Sequence, residues 1–264
     1  TDGDFSGIYS TSNAMGNQSN PVGNLLNSKN DYNKTLRVVG DIYAEVDILN
    51  DLTFKTSAGI NYRTYEQRVF LPQTPANETK NEEADLLHQN QTSYEWVWSN
   101  TLNYDKTFGQ HRINVLAGTE AVYNSYRGQQ VQRSGYLFED PNFYFLSNGS
   151  GTPVINYANA SSYSLYSVFG SVNYSFSDKY FASITVRNDK TSRFSQANAA
   201  ATFPAFSAGW LVSDEAFFPK GFVSTMKLRA SYGTMGNQSL TAANPDVNQS
   251  ALDETTAYYS FDGS

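Results

Sequence analysis

Two histidines, His88 and His111, are the whole imidazole complement of these 264 residues, and cysteine is absent. With two histidines and no thiol, neither a His-rich metal constellation nor a thiolate metal site or disulfide framework is available. Adjacent carboxylates occur at Glu82-Glu83 and Asp214-Glu215. Glycoside hydrolysis requires two carboxyl groups facing each other across a sugar, which chain neighbours do not do. Gly-x-Ser-x-Gly, a Gly-rich phosphate loop and His-Glu-x-x-His are all missing. Asp2-Gly3-Asp4 opens like a calcium loop, but the remaining ligands of an EF-hand do not follow, and it reads as plain loop. The residues therefore predict no enzyme, no cofactor and no resident metal. What could do chemistry is aromatic. Tyr136, Phe138, Phe143, Tyr144 and Phe145 lie among Asn, Asp and Ser in one loop. Such rings can stack on sugar faces or anchor a protein partner, so these five are the candidate contacts to substrate or partner. They can equally pack on one another to hold a long loop in shape.

The elements that must position this loop are strands. From Tyr166 to Phe176 the even residues Tyr166, Val168, Gly170, Val172, Tyr174 and Phe176 alternate with Ser167, Phe169, Ser171, Asn173 and Ser175. After Ser177-Asp178-Lys179 the pattern resumes with Tyr180, Ala182, Ile184 and Val186 on one side. It returns at Phe206, Ala208, Trp210, Val212 and again at Met226, Leu228, Ala230, Tyr232. Period-two alternation of this length marks strands with one apolar and one small-polar face. Earlier in the chain, strands are predicted over 36–49, from Leu52 through Tyr62, over 92–104, and from Ile113 through Tyr123. Asn50-Asp51 makes a two-residue hairpin turn, and Asp105-Lys106 with Phe108-Gly109 makes a second short turn. Residues 1–35, 66–91, 127–161 and 239–264 read as loops, 36–238 as the strand region, with a helical turn at Asp214 to Phe218. His88 falls in a loop and His111 opens a strand.

About eight strands thus follow one another through turns that alternate short and long, each strand about ten residues or more, enough to cross a bilayer when tilted. Asp41, Glu45, Lys55, Arg63, Glu95, Arg112, Glu120, Arg187, Lys227 and Arg229 all fall off the apolar parity. That placement suits a lipid-facing apolar side, where a mid-depth Lys or Arg costs roughly 2–4 kcal/mol. Composition agrees: 16% charged, 15% aromatic, 19 Tyr. A mean hydropathy of −0.50 is no objection, because the two faces of a barrel strand cancel in an average. A net charge of −7 with no basic stripe argues against a nucleic-acid partner. The N-terminus has no secretion signal and the C-terminus follows a polar stretch, so the chain reads as a segment of something longer.

Several stretches also resemble a known family. Phe169-Gly170-Ser171-Val172-Asn173-Tyr174 with Asp178-Lys179-Tyr180 is similar to a strand-turn-strand segment of the SusC/RagA-like TonB-dependent outer-membrane transporters. Val186-Arg187-Asn188-Asp189-Lys190-Thr191-Ser192-Arg193-Phe194 resembles their R-x-D-G-S-S-R-F loop, with Lys190-Thr191 replacing Gly-Ser. Phe203 to Trp210 resembles F-P-S-x-S-x-G-W, with Ala205 for the first Ser; Glu215-Ala216-Phe217-Phe218 and Leu228 to Gln238 follow in the family's order and spacing. A looser likeness begins at Asn50-Asp51-Leu52-Thr53-Phe54-Lys55.

The resemblance implies an all-β fold: a transmembrane antiparallel β-barrel, about eight strands of a 22-stranded wall, with long extracellular loops. It implies a Gram-negative outer-membrane location, TonB acting through a plug region outside this stretch, and a SusD/RagB-like lipoprotein lid. The cargo would be an oligosaccharide or a peptide, and the remaining partner outer-membrane lipid. The rival reading is a soluble carbohydrate-binding or adhesive β protein.

Overall fold

A computed structural model of the chain describes residues 25, 27–73, 82–194, 196–219, 221 and 223–238. Period-two sequence becomes strand throughout: β1 (Tyr32–Leu49), β2 (Leu52–Leu71), β3 (Asp85–Phe108), β4 (His111–Ser134), β5 (Val154–Phe176), β6 (Tyr180–Thr191), β7 (Ala200–Leu211) and β8 (Lys227–Gly233). They form one antiparallel sheet in sequence order, β1 to β8, so every connection joins neighbours. The turns follow their residues. Asn50-Asp51 closes β1 onto β2 as expected. Ser177 and Asp178 take φ of 52° and 54° between β5 and β6, the paired left-handed conformation that matches the twist of a two-residue hairpin. The β3–β4 turn is Gly109-Gln110, with φ +61° at Gly109. Asp105 and Lys106, expected in that turn, are still in β3, where Arg112 and Asp51 pair with them.

Strand ends differ more. β2 runs to Leu71, β3 starts at Asp85, β4 continues to Ser134 and β5 starts at Val154. The loops expected over 66–91 and 127–161 are therefore much shorter, and His88 is a strand residue that approaches Glu66 at 3.5 Å. The cause is that alternation reports a difference between two faces. Where both faces are wet, the backbone ladder continues while the apolar signal stops. β1 likewise begins four residues before Leu36. The helical turn expected at Asp214 to Phe218 is a 3₁₀ turn at Val212–Asp214, followed by a Phe218 N–H to Glu215 carbonyl bond of 3.1 Å. Asp2-Gly3-Asp4 and the tail from Ser239 lie outside the described residues.

The chain divides into two compact units. One, Val39–Asn61 with Glu95–Ser125 and Ser162–Ser264, carries the register most plainly. Across β5, β6, β7 and β8 the apolar residues align in rows, Val172–Ile184–Phe206–Tyr232 and Tyr174–Ala182–Ala208–Ala230. These rows are the exposed face: Ile184 is 49% accessible and Phe206 48%, whereas Ser167 on the other face is 0%. Hydrophobic residues outside and polar residues covered invert the arrangement of a water-soluble sheet. At the short-turn end, rings continue from strand to strand: Phe108–His111, His111–Phe176, Phe176–Tyr180, Tyr180–Trp210 and Trp210–Phe217, at centroid distances of 4.9–6.4 Å. His111 Nδ1 also meets the Tyr174 hydroxyl at 2.6 Å.

This band is tied to the turn by Glu215. Its Oε1 accepts from the Tyr180 hydroxyl (2.6 Å) and the Trp210 indole N–H (3.1 Å), and Lys179 Nζ lies 3.6 Å from Oε2. The Tyr180 hydrogen bond first, then Trp210, lowers the Glu215 pKa below its ordinary 4.5. A carboxylate depressed in the folded state contributes stability that is present above the unfolded value and lost as pH falls through the folded one. Glu215→Gln should therefore narrow the difference in thermal midpoint between pH 6 and pH 3, the wild type losing more on acidification. An unchanged pH dependence would show that this carboxylate does not contribute.

The other unit, Thr1–Val38 with Tyr62–Tyr94 and Tyr126–Ser161, has a small apolar core of Phe70, Ala84, Leu86, Tyr136 and Tyr144, with Leu146 against it.

Candidate functional site

Residues 135–153 join β4 to β5 and hold their shape with hydrogen bonds of their own. Gly135, at φ +79°, starts the turn; its N–H donates to the Ala84 carbonyl, and its carbonyl accepts from Ser150 N–H and Oγ. Arg133 spans the loop, Nε donating to the Gly151 carbonyl at 2.8 Å and Nη1 to the Leu146 carbonyl at 2.9 Å. Asp140 caps the 3₁₀ turn Pro141–Phe143 by accepting from the Asn142 N–H, and the Tyr136 hydroxyl donates to the Phe145 carbonyl. A loop whose carbonyls are satisfied internally is a defined surface.

The five aromatics predicted for this loop separate into two sets. Tyr136 and Tyr144 point inward and are 8% and 7% accessible. Phe70 stacks on Tyr144 at 3.8 Å with an 11° interplanar angle and meets Tyr136 edge-on at 5.7 Å. The Arg68 guanidinium lies over Tyr32 and, at 5.6 Å, over Tyr144. Burial raises both tyrosine pKa values above the ordinary 10.0, and the Tyr136 hydroxyl stays protonated as the donor to Phe145. Phe138, Phe143 and Phe145 point outward, together with Leu137, which is 88% accessible and which sequence reading passed over. Phe138 and Phe143 touch, centroids 5.3 Å apart. The inward pair holds the loop, and the outward set is available to a ligand. Tyr144→Ala removes the stacked ring and should cost about 3 kcal/mol locally. Limited proteolysis should then cut within 135–153 while the strands keep their heat resistance. A loop as protected as in wild type would mean Arg133 and Asp140 hold it unaided.

A second arrangement lies on the polar face of the strand-rich unit. Arg187 on β6 donates from Nη2 to Glu120 Oε1 (2.8 Å) and Ser167 Oγ (2.8 Å), and from Nε to Asp189 Oδ1 (2.6 Å). Ser99 donates to the other oxygen of Glu120. The Arg187 guanidinium sits 5.5 Å from the Phe169 ring, and that ring lies so close over Gly118 that a Cβ there would come within 2.6 Å of it. Glu120 and Arg187, read from sequence only as off-parity charges, thus form one ion-paired cluster across β4, β5 and β6. Among the described residues no group of three or more His, Cys, Asp or Glu is placed to hold a metal ion.

An antiparallel sheet with its apolar rows outside, its ion pairs on the opposite face and rings along one margin is a stretch of transmembrane β-barrel wall. Sequence comparison places the chain within that class. It is 31% identical over 209 residues to TonB-dependent receptor P39 of Formosa agariphila, covering 75% of this chain and 19% of that receptor. It is 28% identical over 226 residues to TonB-dependent receptor SusC of Bacteroides thetaiotaomicron, covering 84% of this chain and 21% of SusC. In fold it matches the RagAB peptide importer in its open-open state with a TM-score of 0.73 at 21% identity, over 90% of this chain and 26% of that one. No family model matches. The chain is a relative of the SusC/RagA-like TonB-dependent receptors, and it spans about a fifth of the length of the curated relatives just described. Those relatives are receptors, not enzymes.

Proposed function

We propose that this chain forms part of the wall of a TonB-dependent active importer in a Gram-negative outer membrane, passing an oligosaccharide or a peptide inward. The observation that carries this reading is the inverted sheet. In a soluble carbohydrate-binding or adhesive protein, the row Val172–Ile184–Phe206–Tyr232 would stand in water as an apolar stripe, with nothing to cover it. Facing lipid, the same row is stabilising, and the Arg187 cluster lies on the aqueous side.

The 135–153 loop is then an extracellular contact element, its outward set Leu137, Phe138, Phe143 and Phe145 touching cargo or a SusD/RagB-like lipoprotein lid. TonB acts through a plug region rather than through these strands. The receptor carrying this chain should fractionate with outer membrane and require detergent for extraction. Cells lacking TonB should lose the same uptake as cells lacking the receptor. Phe138→Ala combined with Phe143→Ala should reduce uptake or lid co-purification several-fold; both intact would remove the loop from the mechanism. Recovery of the protein in the soluble fraction would overturn the whole reading.

A further inference from the structure

The connections at the short-turn end are not alike. β1–β2, β3–β4 and β5–β6 close with two or three residues, whereas β7 and β8 are joined by residues 212–226. On the import reading this end faces the periplasm, where a barrel wall needs only a tight turn. The extra chain is held in shape. Ser213 N–H donates to the Met226 carbonyl at 3.2 Å, extending the β7–β8 pairing, and the Glu215 and Phe218 N–H groups donate to the Val212 and Glu215 carbonyls. This long connection therefore has a fixed place on the wall.

That place is the apolar face. Tyr180 and Trp210 are register partners with the parity of Ile184 and Phe206, and Phe217 meets Trp210 edge-on at 6.1 Å. Phe217 is 68% accessible, and Met226, one step before β8, is exposed as Leu228 is. The polar groups gather at one level. Glu215 accepts from the Tyr180 hydroxyl and the Trp210 N–H, Lys179 Nζ lies 3.6 Å from it, and Asp214 beside it is exposed. Rings that turn their polar edges to one level and their apolar bodies outward match a water–hydrocarbon boundary. A protein interface needs about 800 Å² on each side, and a lone exposed ring supplies roughly 150–250 Å². The apolar rows that Phe217 extends already face lipid.

We propose that the β7–β8 turn is a foot on the periplasmic leaflet of the outer membrane. Phe217 sits among phospholipids where headgroups give way to acyl chains, and Lys179, Asp214 and Glu215 lie in the headgroup layer. The proposal rests on the import reading, which supplies the membrane, and adds a lipid contact made by a connection rather than by a strand.

The test places the photo-crosslinker p-benzoylphenylalanine at residue 217, 184 or 183 of the full receptor. Intact cells are irradiated, and adducts on heat-modifiable receptor are identified by mass. At 217 the new ring replaces one that is 68% accessible, so folding is kept. Ile184 lies on the apolar face and Ser183 on the polar one. Phospholipid should attach at 184 and, at about half that yield or more, at 217, as expected of a ring at headgroup level. At 183 it should be absent. An adduct at 217 with a periplasmic protein, or no phospholipid there while 184 still carries it, would overturn the foot and leave the wall reading intact. Absence of phospholipid at 184 as well would instead count against the wall itself.

Discussion

Ile184→Lys should strip the outer membrane of folded receptor, whereas Thr185→Lys, one residue along, should leave it nearly unaffected. Ile184 lies in the middle of β6, paired with Val172 on one side and Phe206 on the other, all on the exposed apolar face. A lysine there meets hydrocarbon, and at mid-depth the cost is about 2–4 kcal/mol. Since 1.4 kcal/mol is a factor of about ten in an equilibrium, the folding equilibrium constant should fall more than tenfold. Thr185 pairs with Ser171 and Ala205 on the polar face. Both neighbours are small, and a lysine there can reach water, so its effect should stay within about 0.5 kcal/mol. The measurement is the fraction of heat-modifiable receptor in outer-membrane extracts. Equal accumulation of the two variants would mean that β6 does not face lipid, and the barrel assignment would fall with it.

The second large effect belongs to Arg187. Replacing it with Leu keeps a comparable bulk but leaves Glu120 and Asp189 without their shared cation and Ser167, at 0% accessibility, without its donor. Breaking a fully buried ion pair by removing one partner costs about 3–5 kcal/mol. Here the side chains of Arg187, Glu120 and Asp189 are 34%, 28% and 26% accessible, so water screens the orphaned carboxylates and about 2 kcal/mol is the better expectation. Urea unfolding in detergent should show it. Adding Glu120→Gln to Arg187→Leu should recover part of the loss by removing one uncompensated charge, while Glu120→Gln alone should be milder, since Asp189 still pairs with the guanidinium. Strict additivity of the two changes would indicate independent side chains.

Much of this architecture was legible before any coordinates. Alternation from Tyr166 to Phe176 and from Tyr180 to Val186 assigns each residue to a face, and Asn50-Asp51 and Ser177-Asp178 break the alternation where the chain turns, the latter pair with left-handed backbone. Strand ends were not legible, because Gln129, Gln130 and Gln132 near the end of β4, or Asn156 and Asn159 at the start of β5, carry no contrast between faces although the ladder runs through them. At the β3–β4 turn the Asp105-Lys106 pair looked like turn chemistry, but each finds its ion partner elsewhere in the sheet. The division of the loop aromatics could not be read either. Whether Tyr144 faces in or out depends on Phe70 and Leu86, which belong to other strands and are distant in sequence. The Arg187 cluster was visible only as a parity; that Glu120 and Asp189 converge on one guanidinium is a matter of register.

The hydrogen bonds that hold the 135–153 loop come from Arg133, Gly135, Tyr136, Asp140 and Ser150 and end mainly on backbone carbonyls. The outward residues Leu137, Phe138 and Phe143 supply no side-chain bond to that frame. A frame anchored on main chain is indifferent to what the tip displays. Residues 137, 138, 143 and 145 can therefore be exchanged as a set without re-engineering the loop, so under the contact role proposed for it the loop's specificity could change by rewriting a few surface letters.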